Sequence, residues 1–165
     1  MLNLMLMLMK TMPNYIPTTD KPYEQYIKVK LSLALITRAL SVSNKLGWET
    51  MTEWTSIQPD RTYQFVVGET KDEAGNVIYP EITANLRVKM GKTKSSKGNV
   101  KYPFVLFKFP NPDGCLAVLT NRYGFVECVE KGCVQIIGAG DSYAVAFNAI
   151  MTKCQNMLIP SKMVK

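Results

Sequence analysis

Between Tyr63 and Ile137 the chain keeps offering short β-prone runs closed off by turn residues, and that rhythm constrains the fold more than any other feature. Tyr63-Gln-Phe-Val-Val67 is a strand by its aromatic and β-branched content. Asp72-Glu-Ala-Gly-Asn76 predicts a hairpin loop, after which Val77-Ile-Tyr79 returns as a short strand that Pro80 limits. Ile82–Val88 alternates in its second half and reads as a strand pairing with Tyr63–Val67, a helix being the alternative. Gly91–Asn99, made of Gly, Lys, Ser, Thr and Asn, reads as a solvent loop. Tyr102–Phe109 is a further strand, and Pro110-Asn-Pro-Asp-Gly114 a turn leading into Cys115–Leu119. After a reversal at Asn121–Gly124, Phe125–Val129 and Val134–Ile137 read as a hairpin around Glu130–Cys133.

Both ends change character. Pro13 and Pro17 make residues 10–22 a connector. Ile27, Val29, Leu31, Leu33 and Leu35 then alternate with polar or small residues, predicting a strand that passes into a helix over Leu35–Leu40. One long helix from Asp20 to Leu46 is the alternative, with Gly47 placed to stop either. Trp48 and Trp54 read as packing anchors, base stacking being the other use of such rings. Tyr143, Phe147, Ile150 and Met151 fall at helical spacing, and Pro160 ends any extension. The pattern predicts an α+β fold, a predominantly antiparallel sheet with helices near the N- and C-terminal parts. Residues 1–22 are an apolar tail and connector, 23–160 one compact domain and 161–165 a basic tail.

Composition narrows the chemistry. The 165 residues include no histidine, which excludes a Ser-His-Asp triad and any His metal ligand. Cys115, Cys128, Cys133 and Cys154 lack paired CxxC knuckles, so no metal site is expected and free thiols in a reducing, intracellular compartment are. Met1–Met9 is apolar but far shorter than the roughly 20 residues of a membrane-spanning helix. It offers a surface for self-association into a small oligomer.

The net charge of +7 is concentrated. From Ile82 to Pro112 there is no acidic residue, while Arg87, Lys89, Lys92, Lys94, Lys97, Lys101 and Lys108 all fall there. Mobile lysines suit a polyanion backbone, and Tyr102 or Phe104 can place a ring beside it. These residues, Tyr102 included, form the expected site of a non-catalytic nucleic-acid-binding or accessory protein, DNA-binding or RNA-binding. It would favour single strands and show low sequence specificity, because lysine reads bases poorly. A structural assembly protein is a further reading.

Gly138-Ala-Gly-Asp-Ser142, directly before an apolar helix, carries the other signal. Glycines at a helix start admit an anion, and one tight turn with an Asp141 or Ser142 cap accounts for the same residues without chemistry. The segment resembles the GAGD signature of the ribokinase-like sugar kinases. That resemblance implies a divergent or truncated phosphotransferase using ATP and magnesium, with Asp141 as catalytic base and Gly138, Ala139 and Gly140 lining the anion site. The same stretch, with Ser142-Tyr-Ala144, is similar to the strand-turn-helix region of proteasome-like N-terminal nucleophile hydrolases, for which no residue here is assigned as nucleophile.

Overall fold

The computed structural model describes residues 21–57, 60–120, 122–138 and 141–158. Helix α1 (Pro22–Lys45) has proline in its first turn, where the missing N–H removes no intrahelical bond. Val29, Leu33, Ile36 and Leu40 are buried along one helical stripe. This corrects the strand expected over Ile27–Leu35, because Leu31, which alternation would bury, is 50% exposed. The chain satisfies both periods over nine residues, and the helical one wins because it continues to Leu40.

Helix α2 (Glu49–Ser56) follows, then strands β1 (Arg61–Val67), β2 (Thr70–Lys71), β3 (Val77–Tyr79), β4 (Ile82–Lys89), β5 (Lys92–Ser96) and β6 (Val105–Phe109). Helices α3 (Pro112–Leu119) and α4 (Phe125–Glu130), strand β7 (Gln135–Gly138) and helix α5 (Asp141–Leu158) complete the order. The main sheet runs β5-β4-β1-β6-β7, and β2 pairs with β3 in a separate hairpin. Only the β1–β6 pairing is parallel. The fold is thus α+β with a mostly antiparallel sheet flanked by helices from both ends of the chain, as the sequence predicts.

Three segments differ from expectation. Lys92–Ser96 is a strand rather than a loop, since β4 offers it a hydrogen-bonding edge and Thr93 turns inward. There Ser41 Oγ donates to the Thr93 carbonyl and Thr93 Oγ1 donates to the Ser41 carbonyl, both at 3.1 Å. Cys115–Leu119 lies within α3, whose start is set by Asn111: its side chain accepts from the Gly114 N–H at 2.9 Å. Phe125–Val129 is the helix α4 instead of one arm of a hairpin, so β7 pairs with β6.

One face of the sheet meets the helices. Tyr63, Phe65 and Val67 of β1 stand opposite Leu86, Ala84 and Ile82 of β4 and beside Val105, Phe107 and Phe109 of β6, and all nine are buried. Phe147 of α5 lies on them, stacked on Tyr63 at 4.3 Å and tilted against Phe65, Phe107 and Trp54. Trp54 and Trp48 are packing anchors, as expected.

The other face is bare except where the β5–β6 connection crosses it. Because β1 and β6 are parallel, residues 97–104 must return from the β5 edge past β4 and β1. Gln64, 1% exposed, and Asn85, 3% exposed, receive the chain there. Both donate to the Gly98 carbonyl, at 3.3 and 3.1 Å, and the Val100 N–H donates to Gln64 Oε1 at 3.1 Å. Gln64→Leu keeps the shape but leaves the Val100 N–H without its acceptor. It is expected to lower unfolding free energy by about 1–3 kcal/mol, read by urea denaturation.

Candidate functional site

The structure spreads the basic residues over the bare face and its edges. Arg87 and Lys94 stand directly opposite each other on β4 and β5, as do Lys89 and Lys92 at the end of the same hairpin. Lys97 and Lys101 lie on the crossing connection beside Tyr102, which is 81% exposed. Arg87, Lys94, Lys101 and Tyr102 line a cleft of about 640 Å3 with Arg61, against the single carboxylate of Asp60. Phe104 is not a free ring: the Arg61 guanidinium sits 4.0 Å from its centroid, and Tyr143 meets it edge-on. Lys108 is separate, across β1 from this group.

Gly138 ends β7 opposite Val105 at φ 116°, and a Cβ there would collide with the Phe104 carbonyl. A close strand approach therefore accounts for glycine at this position. Asp141 opens α5. Ala139 and Gly140 lie outside the described residues, as does the apolar tail proposed for self-association.

A second concavity, of about 650 Å3, was invisible to sequence reasoning. It opens between α4, the β7 edge and α5, with Phe125, Val126, Val129, Val134, Ile136 and Val145 as its apolar lining. Phe125 is held edge-on to the core ring of Phe107, so the inner wall is fixed. Val126, Val129 and Val145 are instead large apolar side chains left open to solvent, at 63%, 37% and 48% exposure. Exposed apolar side chains converging on a concavity are the kind of surface on which ligands and partners bind. Polar groups stand at the groove as well: Lys108, Gln135 and Glu130. Only the assembled α4–β7–α5 corner brings these residues together, and reading α4 as a strand hid it.

Among the described residues no group of three or more His, Cys, Asp or Glu side chains is placed to hold a metal ion. No described helix is long and apolar enough to cross a membrane.

No family model matches the chain, and no curated protein matches its sequence. Solved structures do. A crystal structure of sterol carrier protein 2 is 14% identical, with 76% of this chain and 94% of that one aligned at a TM-score of 0.50. The solution structure of sterol carrier protein domain 2 of Helicoverpa armigera is also 14% identical, covering 85% of this chain and 96% of that one at a TM-score of 0.51. The likeness is one of fold. It replaces both the ribokinase-like and the N-terminal nucleophile hydrolase resemblance, and the ATP and magnesium expected from the former fall with it. It likewise overturns the nucleic-acid-binding assignment, DNA-binding and single-strand preference included. Charge clustering alone carried that assignment, and clustering does not distinguish one anionic partner from another.

The thiols differ in burial. Burial pushes Cys154 up to about 11 and Cys115 higher, and burial followed by the neighbouring Cys133 raises Cys128. Cys133, half-buried, sits between the groove residues Gly132 and Val134. A thiol reagent at about pH 8 should label Cys133 first and the other three only on unfolding, read by mass spectrometry.

Proposed function

We propose that this protein is a non-catalytic carrier of a lipid-like ligand, whose apolar chain lies in the α4–β7–α5 groove. The observation that carries this reading is the groove itself: exposed valines on two helices facing a floor of Val134 and Ile136, in a concavity within the usual range of roughly 300–1,000 Å3 for small-molecule sites. The fold shared with proteins named for sterol carriage supports it, as the same architecture there goes with a name of that class.

Each methylene taken from water contributes about 0.8 kcal/mol, so a long acyl chain needs few polar contacts to be held. Lys108 and Gln135, opposite each other on β6 and β7, give a charged or polar head a place at the groove. Glu130 on α4 disfavours a second negative charge nearby.

A fluorescent long-chain fatty acid titrated into the protein is expected to show saturable binding. Val129→Asp with Val145→Asp, both at exposed positions, should weaken it by about tenfold or more while leaving the melting temperature nearly unchanged. No saturable binding by the unaltered protein, or binding indifferent to both aspartates, would rule the groove out.

A further inference from the structure

The β4–β5 hairpin breaks two local rules at once. Its turn is Met90-Gly91, with φ of 50° and 70°, the two-residue geometry in which both central positions are left-handed. Asn, Asp or Gly belongs at the first position. Methionine stands there instead, 81% exposed, the one non-glycine residue with positive φ among those described. The stem behind it carries like charges face to face, Lys89 against Lys92 and Arg87 against Lys94, an arrangement that destabilises a hairpin. None of these four has an ion-pair partner among the described residues.

The turn is not loose. The Met90 N–H donates to Asp60 Oδ1 at 2.9 Å, and Asn44 Nδ2 donates to the Gly91 carbonyl at 2.9 Å. Asn44 Oδ1 in turn accepts from Thr55 Oγ1 at 3.0 Å, so one side chain gathers the ends of α1, α2 and the hairpin. Beside this knot stand two more exposed apolar residues, Leu46 at 64% and Ile57 at 77%. Lys45 adjoins them. The result is a braced turn with an exposed methionine at its tip and a like-charged basic stem behind it, the acidic groups nearby being Asp60, bonded to the turn, and Glu49 and Glu53 of α2, and it is built at a cost to the fold.

We infer that this turn, with Met90 at its tip, docks the protein on an anionic lipid bilayer. Exposed apolar side chains enter the interface while surrounding lysines neutralise headgroup charge, and the bilayer supplies the counter-charge that the like-charge pairs lack. A soluble acidic macromolecule would satisfy the lysines but gives no reason for methionine in a left-handed position. The surface is separate from the groove, so it stands or falls independently of the carried ligand.

Flotation with phosphatidylcholine vesicles, with and without phosphatidylserine, tests it across a salt series. Binding is expected only with phosphatidylserine and should weaken as salt rises. Lys89→Gln with Lys92→Gln should reduce it about twenty-five-fold, taking roughly fivefold for each neutralised charge. Met90→Asn should weaken it about fivefold while raising the melting temperature, since asparagine suits the turn better. Equal binding to uncharged vesicles, no binding at low salt, or binding unaffected by Met90→Asn would overturn the proposal. So would equal affinity for soluble polyglutamate, which would assign the face to an acidic macromolecule. Fatty-acid titrations of the same variants separate the two readings: docking variants keep uptake, and a failed titration by the unaltered protein removes the carrier reading without touching the docking one.

Discussion

The fold turns on a small polar knot on the bare face of the sheet, where Gln64 and Asn85 catch the Gly98 carbonyl and Gln64 also accepts from the Val100 N–H. A meander of antiparallel strands would need no such device. This sheet places β6 parallel to β1, so the chain has to cross two strands before it can pair. A helix usually makes that crossing and brings its own hydrogen bonds. Here an eight-residue connection, 97–104, does so, and at Gly98 and Val100 its backbone groups take side chains as partners, while the Phe104 N–H donates to the Thr62 carbonyl. Two buried amides in the middle strands are the consequence: each would be costly alone, and together with the connection they are satisfied.

That crossing lets the two faces specialise. All the helices gather on the opposite side, where Phe147 closes over Tyr63, Phe65 and Phe107. At the end of β7, Gly138 lets the strand pass close against the Phe104 carbonyl. Val145 of α5 lines an apolar groove together with α4 and the β7 edge. Core and groove thus share a wall, since Phe125 touches Phe107 from the groove side.

Much of the sheet was legible in the sequence because alternation and turn residues agree over Tyr63–Val67, Asp72–Asn76 and Ile82–Val88. The errors arise where local preference and tertiary demand diverge. Lys92–Ser96 has the composition of a loop and becomes a strand because an open edge of β4 lies beside it. Phe125–Val129 has the composition of a strand and becomes a helix, where Cys128 is buried and Phe125 packs against the core on the same side, three residues apart. α1 obeys two periods at once. The groove was illegible for a different reason: its valines lie on two helices and just before β7, separated by up to nineteen residues, and nothing local marks them as neighbours. The basic segment was plain, but its partner was not, because charge names a sign and only the Met90 turn adds a chemistry.

The two surfaces occupy opposite edges of one sheet, β5 and β7, about 19 Å apart at the usual strand spacing. They are nevertheless related through the bare face. Lys94 and Arg87 lie on it at one edge, and Lys108 with Gln135 at the other, because each shares the outward parity of Gln64. Between these two cationic edges the outward positions are neutral, with Gln64, Asn85, Thr83, Val66 and Leu106 in the middle strands, and Glu130 stands at the groove. The cations thus stand at both edges of one face, with the apolar cavity beside only the β7 edge, so one sheet separates a charged hairpin from an apolar groove without either depending on the other.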